Sequence, residues 1–398
     1  MRLLVVAHIP PPHHGQSYIV EQLLNGYRDR PDLGIVCDHL DARFSKSADD
    51  IGKGGIAKVM LLGRYAMELL FYGVFRRPQL MYYVPAPGKR VAVYRDWVLL
   101  GLAKILGLKT VFHWLAGGLD AWVTGEAKPW ERFISEKIYG RAKLSVVPVN
   151  SEKNTAAYFH PEEISIIPTG IPDPCGNFET SLLPVRRNRL EKRRQAAGSL
   201  DPVEFRCLFM AHCTADKGLF DAMEAVGAAN RKLMQDGAGV FVTLHVYGSF
   251  LTEKERTAYA RLADELNAEM QGNLPGEDLI IQHLGFVAGA EKDRVLREAD
   301  VLCFPTYYAA EVIPTVIIDA MAYGLPVIST DWRGVPELLP SKGLKTCPIK
   351  RPDEVAQRLL EAIDFADFAV YREAFLARFE VLRFIASMAK AFGAATSE

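Results

Sequence analysis

Two acidic residues stand eight positions apart in the stretch EVIPTVIIDAMAYG, residues 311–324. Glu311 precedes a predicted helix, and Asp319 falls well inside it. Helix interiors disfavour aspartate, because its short side chain competes for backbone hydrogen bonds. We therefore expect a polar partner for Asp319.

The pattern of apolar residues predicts the elements that hold these acids. An apolar run at Val301–Phe304 has strand character, and a helical period follows after a polar, aromatic turn. Pro314 suits the first helical turn because its missing N–H costs little there, and Gly324 suits the position just past the helix end. The stretch is therefore a strand–loop–helix unit.

Length and composition limit the class of protein. A chain of 398 residues with 49% hydrophobic residues is expected to form two domains rather than one core. The net charge of −1 and a pI of about 6.8 give no reason to expect nucleic acid as a partner.

The cysteines and the N-terminus predict where the protein resides. The six cysteines show no C-x-x-C pair and no metal-ligand spacing. The apolar run at the N-terminus is too short for a signal peptide, and no run approaches the 18 apolar residues of a membrane span. We therefore expect a cytoplasmic protein with reduced thiols and no metal.

Strand and helix patterns alternate along the chain, which predicts an α/β fold with two parallel sheets. The predicted parts are a first Rossmann-like domain, a linker rich in Pro, Gly and basic residues, a second Rossmann-like domain and a C-terminal helix that crosses back. The basic run at Arg186–Arg194 belongs to this linker or to a helix beside it with a solvated, charged face. The bounds of the four parts are 1–183, 184–202, 203–378 and 379–398. Because ligands bind beyond the carboxyl ends of such strands, we expect the site there.

One loop at such a strand end is PPPHHGQS, residues 10–17. Gly15 would let backbone approach a ligand closely, or it simply makes a tight turn between strand and helix. The chain has neither a G-x-x-x-x-G-K loop nor a G-x-G-x-x-G fingerprint, so a nicotinamide dinucleotide is not expected.

The stretch EVIPTVIIDAMAYGLPVISTDWRGVPELL resembles the C-terminal signature of retaining glycosyltransferases of the family-4 type. That pattern has an acid, seven residues, a second acid and then Ala-Met-Ala. Further matches are the proline-rich loop, the stretch from His113 to Gly118, IIPTGIP at 166–172 and ADKG at 215–218. The resemblance implies the GT-B fold, two Rossmann-like domains facing across a cleft, and a sugar transfer that uses neither a metal nor a cofactor.

The resemblance also implies a role for each matching residue. Lys217 would offer its charge to the diphosphate of a nucleotide-sugar, and Gly15 would let backbone approach that diphosphate. Asp319 would accept the ribose hydroxyls, and Glu311 would bind a hydroxyl of the sugar. His113 would lie near the sugar, unless it is a hydrogen-bonded histidine at a strand end. The start of the helix, at Ile313, Pro314, Thr315 and Val316, would offer its partial positive charge and the free N–H groups of its residues other than proline to the diphosphate.

Two positions depart from the family pattern. His212 stands where an arginine is common, so its imidazole would be a cation only if the diphosphate holds its proton. We therefore expect His212 to replace that arginine in part. Asp319 stands where the family has glutamate, so helix and ribose would have to lie closer together.

The region 53–109 has ten Lys or Arg residues against two acids. Its predicted helices, Ile56–Phe75 and Ala92–Leu106, combine cations such as Arg64 and Arg95 with aromatic residues such as Phe71. Such helices suit an anionic membrane surface. The alternative is that the apolar residues face the core and the cations are ordinary surface charges.

Together these features predict a retaining glycosyltransferase that moves a sugar from a UDP- or GDP-linked donor to a glycan or lipid-linked acceptor. Surface or exopolysaccharide synthesis at the inner face of the membrane is the expected setting. The alternatives are a nucleotide-sugar epimerase of the same fold and a catalytically weak nucleotide-binding scaffold subunit.

Overall fold

The computed structural model describes residues 1–11, 15–44, 56–196, 198–199, 201–272 and 279–397. The chain forms two compact units. The first unit comprises residues 1–172, 309–313 and 378–398, and the second comprises 173–308 and 314–377.

The first unit is built on a six-stranded parallel sheet with the order β2-β1-β3-β4-β5-β6. Its central strands are almost entirely apolar and buried, because helices cover both faces of a parallel sheet. The strands are β1 Arg2–Val6, β2 Val36–Leu40, β3 Leu80–Tyr83, β4 Thr110–His113, β5 Leu144–Val147 and β6 Ile164–Ile166. The helices that accompany this sheet are α1 Gly15–Asp29, α2 Ile56–Phe71, α3 Arg90–Ile105, α4 Leu119–Gly125, α5 Pro129–Tyr139 and α6 Lys153–Ala157.

The second unit is built on a five-stranded parallel sheet with the order β11-β10-β7-β8-β9. Its strands are β7 Val203–Met210, β8 Val240–Tyr247, β9 Ile281–His283, β10 Val301–Phe304 and β11 Val327–Ser329. Its helices are α7 Leu183–Gln195, α8 Leu219–Gln235, α9 Glu253–Met270, α10 Gly289–Glu298, α11 Thr315–Ala322, α12 Val335–Leu338, α13 Pro352–Ile363 and α14 Phe368–Arg378.

The predicted linker at 184–202 is corrected by the structure. Its basic run forms α7, and the chain passes between the units at Pro172 and Asp173 instead. Arg186 and Arg193 are buried, so only one side of the run faces solvent. Arg193 pairs with Asp300 at 3.1 Å. These cations belong to the interior of the second unit.

The last helix, α15 at Val381–Ser397, belongs to the first unit. Phe392 lies with its ring centroid 6.3 Å from that of Tyr27 and 6.4 Å from that of Tyr82. Gly170 is needed where α15 begins, because a Cβ there would lie 2.7 Å from the Cβ of Phe384. The C-terminal helix therefore completes a core whose strands lie near the N-terminus.

Candidate active site

Each sheet has one point where the strand order changes direction. In the second sheet β7 lies between β8 and β10, and in the first sheet β1 lies between β2 and β3. Doubly wound folds bind ligands in the crevice beyond the carboxyl ends of the strands at such a point. In the second unit, the loops that leave β7 and β10 line this crevice, and they carry several of the predicted site residues.

Lys217 lies on the loop that follows β7. Its Nζ is 4.2 Å from the centroid of the Tyr308 ring, on the loop that follows β10. The two loops are fixed to each other, since the Tyr307 amide donates to the Asp216 carbonyl at 2.8 Å. Gly218, at φ +84°, leaves no room for a side chain, because a Cβ would lie 2.3 Å from the Pro305 carbonyl oxygen. The ammonium group is thus placed by a rigid pair of loops.

His212 lies on the same loop, directly after the end of β7. Burial lowers its pKa below the ordinary value of 6.5, and the charge of Lys217 lowers it further. The imidazole is therefore mainly neutral at pH 7. An anion bound nearby would oppose both effects and raise this pKa. The predicted partial replacement of an arginine by His212 stays a prediction.

The predicted helix is α11, which begins at Thr315 after Pro314 as its N-cap residue. The N-cap residue Pro314 makes no side-chain cap hydrogen bond, and the first-turn N–H groups, including those of Thr315 and Val316, have no acceptor within the helix. At the other end Gly324, at φ +59°, closes the helix: its amide donates to the Met321 carbonyl at 2.9 Å. The helix thus begins and ends close to the expected positions.

The polar partner expected for Asp319 is Lys292. The Lys292 Nζ lies 2.6 Å from the Asp319 Oδ2. Lys292 comes from α10, and its side chain is 31% exposed while that of Asp319 is 12% exposed. A mostly shielded ion pair therefore lies at the position that the resemblance assigns to ribose binding. Sequence reasoning missed Lys292, because nothing in its local pattern separates it from an ordinary surface lysine.

Glu311 and Ile313 fall in the short segment 309–313, which clusters with the first unit. There the Gly117 amide donates to the Ala310 carbonyl at 3.3 Å. Glu311 is 9% exposed. The structure thus places Glu311 in a different unit from Lys217, and its role toward a sugar stays a prediction.

His113 lies at the carboxyl end of β4, as its position in the sequence predicts. Its side chain is fully buried in the first unit, and burial lowers its pKa to about 3. The Tyr82 hydroxyl lies 2.7 Å from Nδ1, and the ring stacks on Phe384 with centroids 6.0 Å apart. The prediction that His113 contacts the sugar stays a prediction. The residue is a neutral histidine at a strand end, packed against α15.

Gly15 is the first residue of α1, at the carboxyl edge of the first sheet. Residues 12–14 of the proline-rich loop lie outside the described residues. The position of Gly15 at a helix start beside the strand-order change agrees with an anion contact. That contact stays a prediction.

The described parts of the chain contain neither a metal-ligand cluster nor a membrane-spanning helix. In residues 1–11, 15–44, 56–196, 198–199, 201–272 and 279–397, no group of three or more His, Cys, Asp or Glu side chains is placed to hold a metal ion. Within the same ranges, no helix has the length and apolar character needed to cross a membrane.

Comparison with known families gives a match over much of the second unit. Residues 204–364 match the family model described as glycosyl transferases group 1. The resemblance seen in the sequence is confirmed by this match over the residues that it covers. The match covers the sheet of the second unit with both of the loops that leave β7 and β10.

A curated relative is the amylovoran biosynthesis glycosyltransferase AmsK of Erwinia amylovora. It is 34% identical over 140 residues, which make up 34% of this chain. The match spans only 30% of the length of AmsK.

Solved structures confirm the fold. Anabaena HepE in complex with UDP is similar with a TM-score of 0.65 and 15% identity, over 99% of this chain and 100% of that one. Sucrose-phosphate synthase from Thermosynechococcus elongatus has a TM-score of 0.69 and 15% identity, with 100% of each chain covered. At such identities the likeness shows the fold alone. The predicted GT-B class, with two Rossmann-like units, is therefore confirmed.

Proposed function

We propose that this protein is a retaining glycosyltransferase. It transfers a sugar from a nucleotide-sugar to a glycan or lipid-linked acceptor in the assembly of a surface polysaccharide. Two relatives support this proposal: AmsK is named for amylovoran biosynthesis, and HepE has been solved with UDP and with UDP-glucose. The match to the glycosyl transferases group 1 model supports the reaction class.

The observation that carries the proposal is the crevice at the strand-order change of the second sheet. Lys217 brings a full positive charge to the loop after β7, and α11 directs uncapped N–H groups from the loop after β10. A diphosphate is the ligand that such a pair of donors fits. Asp319 lies one helical turn further along α11 and pairs with Lys292 of α10, which offers polar groups to a ribose.

In the proposed reaction the protein stabilises the nucleoside diphosphate as it leaves the sugar. The bond between the anomeric carbon and the diphosphate breaks while a bond from that carbon to an acceptor hydroxyl forms on the same face. The acceptor proton passes to the leaving phosphate oxygen, so no protein nucleophile is required. Lys217 stabilises the developing negative charge, an effect worth roughly 10²–10³ in rate for one such donor.

Nucleotide binding and turnover test the proposal separately. UDP, GDP and ADP, each with its sugars, are screened by thermal shift, where a ligand at about 100 times its Kd adds about 2.7 kcal/mol of stability. Release of the free nucleotide in the presence of acceptor then reports transfer. Lys217→Met should abolish most turnover, whereas the matched Lys232→Met on α8, which removes only an exposed pair with Asp236, should not.

Other results would support the two alternatives. Nucleotide binding with no turnover on any acceptor favours a scaffold subunit. Interconversion of the donor sugar without acceptor favours the epimerase. A chain that binds none of the three nucleotides contradicts the proposal altogether.

We also propose that the first unit docks on an anionic membrane surface through α2. The apolar residues on one side of α2 and of the π-helical turn that follows it face solvent instead of the core. The exposed fractions are 66% for Met67, 51% for Phe71 and 72% for Phe75. Further exposed apolar residues share this helical spacing, namely Ile56, Met60 and Val74. The apolar face extends about 30 Å, from the rise per residue of a helix.

Charge favours a lipid surface as the occupant of this face. Residues 56–77 contain four Lys or Arg residues and one acid. Arg76 and Arg77 are exposed at the end of the apolar face, and each cation near an anionic bilayer contributes about 1 kcal/mol. The cations of α3 contribute less than expected, because Arg90 pairs with Glu131 and Arg95 with Asp96.

Flotation with liposomes tests the docking proposal. The wild type should bind vesicles that contain anionic phosphatidylglycerol, and binding should weaken as salt is raised. Phe71→Ser combined with Phe75→Ser should reduce binding at least tenfold, because each substitution removes an aromatic ring whose apolar surface would be buried in the bilayer. Phe286→Ser, an equally exposed phenylalanine of the second unit, is the matched control. Equal binding by the double variant, or no binding by the wild type, rejects the docking surface.

A further inference from the structure

The ion pair between Lys292 and Asp319 gives the second unit a feature that the family pattern does not predict. We propose that the two side chains recognise the ribose of the nucleotide donor together, with one hydroxyl bound to each. This inference rests on the proposed function, since it concerns the donor of that reaction. It assigns Lys292 a role in binding and selectivity.

Each of the two groups keeps hydrogen-bonding capacity beyond the bond that joins them. A carboxylate has two oxygens, and the Asp319 Oδ2 is already engaged by the Lys292 Nζ at 2.6 Å. The Oδ1 is therefore the atom that accepts from a ribose hydroxyl. An ammonium group has three N–H donors, so Lys292 keeps two after pairing. One of these donates to the oxygen of the neighbouring hydroxyl.

The short side chain at position 319 explains why a second residue would be needed to bind both ribose hydroxyls. Aspartate reaches one methylene less far than glutamate, so a single carboxylate on α11 covers less of a diol. Lys292 approaches from α10 on a flexible stem and extends the polar surface. Because removing one partner of a shielded pair leaves an uncompensated charge, the pair should persist when the ligand arrives. The ligand then binds to the pair rather than displacing one member.

The other cations of α10 have local partners. Arg294 pairs with Glu291 and Glu298, and Arg297 pairs with Asp293 at 2.8 Å. The pairs of Arg294 are about half exposed, whereas Arg297 also lies 5.4 Å from the centroid of the Tyr323 ring. Lys292 instead turns toward α11, although a pair within its own helix is the usual arrangement for a surface lysine. This orientation is what a binding role requires.

Isothermal titration with nucleotides that lack one hydroxyl tests the proposal. UDP is compared with 2′-deoxy-UDP and 3′-deoxy-UDP, and GDP and ADP with their own deoxy forms. Wild-type protein should bind each deoxy form roughly tenfold or more weakly, the usual effect of one hydrogen bond to a charged group. In Lys292→Met one of these two penalties should fall below about twofold, while the other remains. Lys292→Arg should restore the lost penalty.

The control is Arg294→Met, which removes a cation of the same helix and should keep both wild-type penalties. If Lys292→Met weakens the complete and deoxy nucleotides by the same factor, or changes none of them, Lys292 has only a structural role and the proposal is wrong. If the wild type binds none of the three nucleotides, the proposed function itself fails. These two failures are distinguishable in one data set.

Discussion

Arg186 is buried in the second unit, and replacing it should destabilise that unit strongly. Its guanidinium donates to three backbone carbonyls: Tyr323 at 3.1 Å, Ala299 at 2.7 Å and Leu296 at 3.1 Å. These carbonyls belong to the last turns of α10 and α11. Burial lowers the pKa of Arg186 to about 10, so the side chain still carries its charge at pH 7. One cation therefore caps the negative ends of two helices.

The expected loss in the free energy of unfolding follows from the three hydrogen bonds of Arg186. Leaving a buried carbonyl without its donor costs about 1–3 kcal/mol. Water that enters the space vacated by the side chain recovers part of this loss, so we expect Arg186→Ala to lower the free energy of unfolding by about 3–5 kcal/mol. That loss is a large fraction of the roughly 5–15 kcal/mol of a typical domain.

Urea denaturation followed by circular dichroism measures this loss, and hydrogen exchange shows where it occurs. Amides of α10 and α11 should lose protection before those of the first unit. Arg187→Ala is the matched control, since that side chain is exposed on the next position of α7 and should change stability by about 0.5 kcal/mol at most. Similar effects of the two substitutions would refute the capping role of Arg186.

Two further predictions concern His212 and Gly324. The wild type should bind UDP more tightly than His212→Ala, and the ratio of the two affinities should rise as the pH is lowered from about 8 to 6. The rise should be at most about tenfold per pH unit, because binding must protonate an imidazole whose pKa is lowered in the free protein. A ratio that is flat with pH, measured by isothermal titration, contradicts this coupling. Gly324→Ala should destabilise by about 2–4 kcal/mol in urea, because the new Cβ would lie 2.5 Å from the Phe178 ring at φ +59°. Gly237→Ala, at φ +62° in open space, should show only the backbone cost of about 1 kcal/mol, and equal effects at both glycines would exclude the clash.

The sequence predicted the fold well because periodicity and buried strands are local signals. The strand Val301–Phe304 and the helix that ends at Gly324 were both expected, and both are present. The strand β2 at Val36–Leu40 was missed, because it lies at the sheet edge, is only partly buried and has no continuous apolar run.

Charged residues were harder to place from the sequence. The run around Arg186 has the composition of a solvated face, and only three-dimensional packing brings the ends of two helices onto it. His113 stands at a strand end as expected, but α15 returns from the far end of the chain to cover it. Lys292 and Asp319 are 27 positions apart, a separation that no periodic pattern connects.

The return of α15 to the first sheet has a consequence for synthesis. The strands of the first unit leave the ribosome early, but the side chains that cover Tyr27 and Tyr82 belong to α15, which follows the second unit in the sequence. The whole second unit is therefore translated before the first unit is complete. Domains usually fold from the N-terminus during synthesis. In this chain the first unit is the first to begin but cannot close before α15 has followed the second unit out of the ribosome.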